Sequence, residues 1–418
     1  MDKKQVLFIS SHLYLFWTLG CYYVFELLEE YELILIVNNE YRCDPFFQKI
    51  ITFPQIIEVI YLPKSSNIIS KHINYIATIN YTFKKYQPKF IFQYNHTYVF
   101  NKYVFVKASE LSPESKVIHY QNGQILVGDE KFAYEKSINQ KLVDIKGRFQ
   151  IPFSVSSLKF IYRLLRFSFH IMDDLILPSF FLKNINHSFY CKKRAKRNFF
   201  HQYFVFDRII QQKLFKELKT KNIIQIKCPI STVSDKYNKF LYNYSERKQI
   251  VIFPSFGFFS LKQDQKVINN WILVISILQK KFPDYNICMK LHPRTKNSFI
   301  VEEILNYLRN KCPKIELLDP ALNAQELVLS SKIIVGDVST IIWWASLLRN
   351  KVVISIRMNQ KYGGDEMKYY EDILYFKSVK EFKNYNFANR PITKRKKNLD
   401  DENLIPDLRA ALDSLYYA

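Results

Sequence analysis

Short apolar runs alternate with helical patterns from the beginning of the chain. Near-continuous apolar runs predict buried strands, and segments between them, such as 73–86, have the spacing of amphipathic helices. Buried strands separated by helices indicate a parallel sheet that is covered on both faces and joined by right-handed crossovers. We therefore predict a Rossmann-like first half with strands at 6–9, 33–37, 56–62, 90–93, 117–120, 203–206 and 223–226, and a helix at 209–219 before the last strand.

A second, more regular series follows a predicted linker at 229–246. In its first helix, apolar residues recur at helical spacing, so Trp271 is expected in the core. The predicted strands are 249–253, 287–291, 315–318, 332–335 and 352–356, and the predicted helices are 267–281, 299–310, 324–329 and 338–349.

The two series predict an α/β protein with two Rossmann-like domains that face each other across a cleft. Two domains also suit the length, because 418 residues exceed what one ordinary core holds. The predicted domains are 1–235, with an insertion at about 154–200, and 236–390, followed by a basic linker and a C-terminal helix in 391–418.

Composition and charge narrow the class of protein. Hydrophobic residues make up 48% of the chain and charged residues 24%, which is typical of a folded globular protein. The formal charge of +23 suits nucleic acid, an anionic membrane surface or anionic small substrates. No zinc-finger, helix-turn-helix or RNA-recognition signature accompanies the charge, so we expect no nucleic-acid partner.

Cysteine usage and the N-terminal pattern bear on the compartment. The six cysteines form no C-x-x-C pair and fit buried free thiols in a reducing compartment. The N-terminal apolar run is broken by Ser10, Ser11 and His12, which favours strand, loop and helix over a secretion signal. No sequence run reaches the roughly 18 apolar residues of a spanning helix. We expect a cytoplasmic protein, with peripheral attachment to the inner face of the membrane as a further hypothesis.

The segment 154–200 breaks the alternation of strands and helices and is rich in Phe, Leu, Arg and Lys. We favour an inserted helical pair whose aromatic stripe packs on the first domain. The alternative is a helix that lies on anionic lipid, where each basic residue adds about 1 kcal/mol of binding energy.

The candidate chemistry lies where strands of the second series end, because open α/β sheets bind ligands outside the carboxyl ends of their strands. The strand at 287–291 contains Lys290 and leads into His292 and Arg294. His292 offers an imidazole that titrates near neutral pH, and Arg294 offers a bidentate fork for phosphate. The alternative is a hydrogen-bonded surface histidine in a basic loop.

A second strand end provides hydroxyl groups. The strand at 332–335 runs through Gly336 and Asp337 to Ser339 and Thr340, and a helix follows directly. Free backbone N–H groups, the helix dipole and two hydroxyls suit a phosphate at such a position. An ordinary N-cap is the alternative, since Ser and Thr cap helices without any ligand. The loop after 249–253 adds Ser255 and Gly257 as weaker candidates, because glycine permits close approach of a ligand to the backbone.

The segments KLHPR (290–294) and VGDVSTIIWWASLLRNKVVISI (335–356) resemble a known family. They are similar to the donor-binding half of GT-B glycosyltransferase-like enzymes of bacterial surface polysaccharide synthesis. These include capsule polymerases, sialyltransferases with an HP motif, and CDP-glycerol glycerophosphotransferases. The resemblance covers 250–356. It implies a GT-B architecture, donor phosphates held by His292, Arg294, Ser339 and Thr340, and neither a metal nor a cofactor.

The first domain departs from these families. Asn122 and Gly123 stand where glycerophosphotransferases carry a His-Gly pair, and 128–130 presents the acidic motif of the sialyltransferases in reverse order. The acceptor-side base stays open, with Asp129 or Glu130 ranked first because a carboxylate near a strand end can deprotonate a hydroxyl. The other candidates are His119 and His12.

These observations predict a metal-independent glycosyltransferase that moves a sugar from a nucleotide sugar to a surface polysaccharide or glycolipid acceptor. A CDP-glycerol-type polyol phosphate transferase and a nucleotide-sugar epimerase on the same fold are the enzymatic alternatives. A non-catalytic protein that binds anionic lipid or glycan is the alternative of another class.

The two interpretations of 154–200 predict different responses to salt. If the segment attaches to membranes, the protein should bind anionic vesicles at low salt and lose binding as salt screens the attraction. Co-sedimentation should then be abolished when Lys192, Lys193 and Arg194 are replaced by Glu. Vesicle binding that survives this charge reversal, or no binding at low salt, would contradict attachment.

Overall fold

The computed structural model describes two compact units. One contains the described residues between 4 and 241 together with 405–416, and the other contains those between 242 and 387. The described residues are 4–10, 13, 16–63, 68–93, 99–120, 200–206, 211, 222–242, 244–254, 261–291, 299–337, 339–348, 350–358, 366–370, 372–387 and 405–416.

The first unit is built on a parallel sheet with the strand order β3-β2-β1-β4-β5-β6-β7. The order reverses between β1 and β4, which makes their carboxyl ends the topological switch point of this sheet. Its strands are β1 (Gln5–Ser10), β2 (Glu32–Asn38), β3 (Ile56–Leu62), β4 (Phe90–Gln93), β5 (Lys116–Tyr120), β6 (Gln202–Val205) and β7 (Ile223–Gln225).

Helices cover this sheet. The chain passes from a π-helical turn at Phe16–Gly20 directly into α1, and Asp44 caps α2 by accepting a hydrogen bond from the Phe47 N–H at 2.7 Å. The helices among the described residues are α1 (Cys21–Leu27), α2 (Pro45–Ile50), α3 (Ile68–Lys85), α4 (Val99–Leu111) and α5 (Pro229–Leu241), with a short 3-10 helix at Asn39–Cys43.

Aromatic side chains fill much of the first core. The ring of Phe16 makes edge-to-face contacts with Tyr41 and Phe47 at centroid distances of 5.5 and 5.7 Å. Phe8 of β1 lies 5.1 Å from Tyr120 of β5. Such pairs add about 0.5–1.5 kcal/mol each beyond the burial of their area. The segment before α1 is thereby held against the central strand.

The second unit repeats the same plan with the strand order β10-β9-β8-β11-β12-β13, again parallel. The order reverses between β8 and β11. Its strands are β8 (Arg247–Phe253), β9 (Asn286–Lys290), β10 (Glu316–Leu318), β11 (Ser331–Gly336), β12 (Val352–Ile356) and β13 (Leu374–Phe376). Its helices are α6 (Leu261–Lys281), α7 (Phe299–Lys311), α8 (Ala324–Ser330), α9 (Thr340–Ser346) and α10 (Val379–Asn384), with a 3-10 helix at Glu366–Tyr369.

The predicted fold class is confirmed, since each unit is a parallel Rossmann-like sheet with helices. Trp271, on the buried face of α6, is fully buried, as its spacing predicted. The observed strands at 56–62, 90–93 and 352–356 coincide with the predicted ones. That the domains face each other across a cleft stays a prediction.

The predicted linker at 229–246 is wrong over most of its length, because 229–241 is helix α5 and packs on α1. Ile230, Val233, Tyr237 and Leu241 recur at helical spacing and are buried there. The predicted boundary after 235 falls inside this helix. The insertion at 154–200 lies outside the described residues, as does nearly all of the predicted helix at 209–219.

The last helix, α11 (Leu408–Tyr416), confirms the C-terminal helix predicted within 391–418. It belongs to the first unit, so the chain returns there after the second sheet. Leu408, Ala411 and Leu412 form its buried face.

The five described cysteines are free thiols, and Cys191 lies outside the described part of the chain.

A buried lysine gives a stability prediction. Lys351 Nζ donates to Glu246 Oε1 at 2.8 Å and to the carbonyl oxygens of Leu329 and Ser331 at 2.6 and 2.9 Å. Replacing Lys351 by Met should lower the free energy of unfolding by about 2–4 kcal/mol, because buried acceptors lose their donor. Urea denaturation measures this change.

Lys332→Met is the matched control. Its ammonium lies 3.9 Å from the other oxygen of Glu246 and its side chain is 50% exposed, so removal should cost less than about 0.5 kcal/mol. Equal losses in the two variants would show that the buried hydrogen bonds contribute nothing.

Candidate functional site

The strand ends at the switch point of the second sheet lie side by side. Gly336 at the end of β11 is in register with Phe253 of β8 on one side and with Ser355 of β12 on the other. A crevice at such ends is where open parallel sheets bind ligands. The predicted donor-site residues Asp337, Ser339 and Thr340 follow Gly336 directly and therefore lie at this point.

Gly336 lets the following helix begin close to the sheet. A β-carbon at this position would lie 2.5 Å from Ile342 Cδ1 and 3.0 Å from the Phe253 carbonyl oxygen. A side chain here would therefore require Ile342 to change its conformation and the end of β8 to yield slightly. Gly336 thus allows Ile342, near the start of α9, to pack directly against the end of β11.

Ser339 caps α9 in the structure. Its backbone is extended, its Oγ accepts a hydrogen bond from the Ile341 N–H at 3.4 Å, and its carbonyl oxygen accepts from the N–H groups of Ile342 and Trp343. Thr340 is the first residue of the helix, and both side chains are half-buried. The capping interpretation therefore has direct geometric support, and a role of these hydroxyls in ligand binding stays a prediction.

Lys290 has a different setting from the one expected of a phosphate ligand. Its side chain is 1% exposed, and Nζ donates to the carbonyl oxygens of Leu291 at 3.2 Å and Pro320 at 3.0 Å. Burial lowers the pKa of Lys290 to about 8, and the charge of Asp319 acts in the opposite direction. The ammonium therefore ties the end of β9 to the turn after β10 and keeps one N–H for other partners.

Asp337 is 8% exposed and stands between the end of β11 and the cap residue.

His119, an acceptor-side candidate, is 2% exposed and lies between the rings of Phe200 and Tyr203 at centroid distances of 5.0 and 5.3 Å. Aromatic packing thus encloses this imidazole inside the first unit.

Most other predicted site residues lie outside the described residues, and their roles stay predictions. On the donor side these are Ser255, Gly257, His292 and Arg294. On the acceptor side they are His12, Asn122, Gly123, Asp129 and Glu130.

The switch point of the first sheet contains polar residues that the sequence analysis missed. Ser10 ends β1 and is fully buried, with Oγ 2.7 Å from the Tyr41 hydroxyl. Gln93 ends β4 in register with His119, is 1% exposed, and has no hydrogen-bond partner for either amide atom. A polar residue that ends an apolar strand, as in LFIS and FIFQ, was the available signal.

Neither a cluster of metal ligands nor a membrane-spanning helix occurs among the described residues. They contain no group of three or more His, Cys, Asp or Glu side chains placed to hold a metal ion. None of their helices is long and apolar enough to cross a membrane.

No protein-family model and no curated protein sequence matches the chain, whereas solved structures do match it. The UDP-GlcNAc 2-epimerase of Methanocaldococcus jannaschii has a TM-score of 0.59 at 13% identity, covering 99% of this chain and 100% of that one. The enzyme of Rickettsia bellii has a TM-score of 0.56 at 14% identity, covering 100% and 98%. The enzyme of Neisseria meningitidis bound to UDP-GlcNAc has a TM-score of 0.52 at 11% identity, covering 91% and 88%.

This similarity shows the fold class, which is GT-B-like with two Rossmann-like domains in one chain. It holds over the whole length and not only over the 250–356 segment that carries the sequence resemblance.

The Lys290 ammonium predicts a pH dependence of stability. Its pKa is lowered to about 8 in the folded chain from the ordinary 10.5, so the unfolded chain binds the extra proton between these values. Stability should therefore rise with pH from 8 towards 10 in the wild type relative to Lys290→Met. Urea unfolding across this range measures the difference. Lys314→Met, at an exposed position, should keep the wild-type dependence of stability on pH. If Lys290→Met showed the same dependence as the wild type, the lowered pKa of Lys290 would be contradicted.

Proposed function

We propose that this protein is an enzyme that acts on a nucleotide-activated sugar, bound at the strand ends of the second unit. The observation that carries the proposal is the switch point at Gly336, where close packing sets the start of α9 beside the ends of β8 and β11. The similarity to nucleotide-sugar enzymes over the whole chain supports the same ligand class.

Residues on three neighbouring strand ends would hold the donor. Ser255 and Gly257 follow β8, His292 and Arg294 follow β9, and 337–340 follows β11. Arg294 would grip a phosphate with its guanidinium fork, and His292 would donate to a phosphate oxygen or transfer a proton. Donors fixed in advance at such positions stabilise negative charge as it develops on a leaving phosphate.

Epimerisation is the reaction that the structural comparisons favour. The three matched structures described above are UDP-GlcNAc 2-epimerases, and each match covers most of both chains. Epimerisation breaks a C–H bond of the sugar and re-forms it on the opposite face, so one group must remove a proton and another must return one. Asp129 or Glu130 are the first candidates for the base.

Sugar transfer is the second candidate, favoured by the resemblance of 290–294 and 335–356 to GT-B transferases of surface polysaccharide synthesis. It breaks the bond between the anomeric carbon and the phosphate oxygen and forms one to an acceptor hydroxyl, whose proton goes to the base. A polysaccharide or glycolipid acceptor, a cytoplasmic location and attachment to an anionic membrane belong to this candidate.

Both reactions can be followed together by proton NMR. Purified protein is incubated in D₂O with UDP-GlcNAc, and in parallel with other nucleotide sugars, with and without a glycolipid acceptor. A new isomer that carries deuterium at the inverted carbon indicates epimerisation. Free nucleoside diphosphate with a glycosylated acceptor and no deuterium indicates transfer. Neither binding nor turnover of any nucleotide sugar would contradict the proposal.

Substitutions in the segment after β9 test whether turnover depends on the proposed donor site. His292→Ala and Arg294→Ala should each lower turnover by about 10²-fold, the usual loss for one preorganised donor. Lys248→Ala is the control, because Lys248 is exposed near the start of β8, at the other end of that strand. Wild-type turnover in both loop variants would remove them from the site.

A further inference from the structure

The C-terminal helix α11 packs on the first unit through its apolar face, and polar contacts surround that face. The Lys227 N–H donates to the Pro406 carbonyl oxygen at 2.8 Å, and Arg409 forms an ion pair with Glu30. At the far end, the ring of Tyr416 lies 3.8 Å from Lys4 Nζ and 4.8 Å from Lys89 Nζ. The helix therefore has defined contacts at both ends.

A cavity of about 200 Å³ lies where the start of α11 meets α1 and α5. Four carboxyl groups line it, but Arg409 is the only basic residue among its described lining residues. Arg409 pairs with Glu30, and Lys236 lies 3.4 Å from Glu29. The carboxyl groups of Glu26 and Asp407 are thus left without a matching cation in the described ion pairs.

Backbone groups at the start of α11 hydrogen-bond with both carboxyl groups, Leu408 with Glu26 and Ala410 with Asp407. Asp407 caps α11, with Oδ1 accepting from the Ala410 N–H at 2.8 Å. The Oε2 atom of Glu26 is buried with no hydrogen-bond partner. Burial first, and the charge of Asp407 second, raise the pKa of Glu26 to about 7.

The other charged and titratable groups around Glu26 do not reverse this effect. Glu29 acts in the same direction, whereas the Thr232 side chain and the Leu408 backbone act against it. The groups on the packed elements are Tyr23, Glu29, Glu30 and Tyr31 from the α1 side, Cys228 and Lys236 from the α5 side, and Asp407 and Arg409 from the α11 side.

We propose that Glu26 and Asp407 form a proton-operated lock, in which α11 docks on the first unit while Glu26 carries a proton and loosens when Glu26 is ionised. Ionisation places two carboxylates together in a partly enclosed space, and undocking returns both to water. Because residues 388–404 connect α11 to the second unit, the lock acts on the end of the chain that returns from that unit. The proposal is independent of the reaction catalysed.

The direction in which pH changes the docking of α11 follows from the difference in the pKa of Glu26 between the docked and undocked states. Docking raises the pKa of Glu26 from the ordinary 4.5 to about 7, so docking is strongest below 4.5 and weakens until the pH exceeds 7. The docking constant should fall about tenfold between pH 6 and pH 8, within a total change on the order of a hundredfold.

Amide hydrogen exchange of the whole protein at pH 6 and pH 8 tests the lock. Rates are converted to protection factors, which removes the intrinsic effect of pH on exchange. Protection of α11 should drop about tenfold from pH 6 to pH 8, while protection of β2 changes much less. An equal drop in β2 and α11, or no drop in α11, would overturn the proposal.

Three variants separate the lock from general destabilisation. Glu26→Gln keeps the side-chain shape but cannot ionise, so α11 should stay protected at both pH values. Asp407→Asn preserves the cap and removes the charge, so the drop should shrink. Glu29→Gln, at an exposed position on the same cavity, should keep most of the drop. If Glu26→Gln is folded and still shows the full drop in protection of α11 between pH 6 and pH 8, the lock is refuted.

Discussion

Gly336 packs directly against the first turn of α9 at the ends of the central strands of the second sheet. A β-carbon there would lie 2.5 Å from Ile342 Cδ1 and 3.0 Å from the Phe253 carbonyl oxygen, so a larger residue would require Ile342 to move and the strand end to yield. Dense interiors transmit such a change, because packed side chains cannot absorb extra atoms without moving. Ser339 and Thr340 lie in the chain between the two residues of this contact, at the start of α9.

The two sheets have the same order of strands around their centres but different chemistry at their switch points. In the first unit, Ser10 and Gln93 end the central strands and are uncharged and buried. In the second, Asp337 and the cap residues stand at the corresponding ends, with Lys290 on the neighbouring strand. The half-buried cap hydroxyls at the start of α9 suit a phosphate-containing ligand better than the buried Ser10 and Gln93, and this difference supports the proposal that the donor binds at the second unit.

The parts of the fold that the sequence predicted are those governed by local patterning. Strands such as 352–356 are near-continuous apolar runs, which are typical of a sheet buried on both faces. Helix α5 was missed because Pro229 at its start and Ser231, Thr232 and Asp235 at its exposed positions are typical of linkers, although its buried residues recur at helical spacing. Strand β13 has three residues and too little pattern to detect.

The site could be predicted only where its residues adjoin a strand end. The positions of Asp337, Ser339 and Thr340 were predictable because strand and helix follow each other without a gap. The enclosure of Lys290 by the carbonyl oxygen of Pro320 was not, because it depends on how β10 pairs with β9. Glu26 and Asp407 meet only because the last helix returns to the first unit, and no local pattern carries that information.

The central claim is that a nucleotide sugar binds at the strand ends beside Gly336. Hydrogen exchange with and without saturating UDP-GlcNAc, followed by peptide mass spectrometry, tests it most directly. We predict slower exchange in peptides that cover β11 and α9, at 331–346. Binding of UDP-GlcNAc that leaves these peptides unprotected, with protection elsewhere, would contradict the claim.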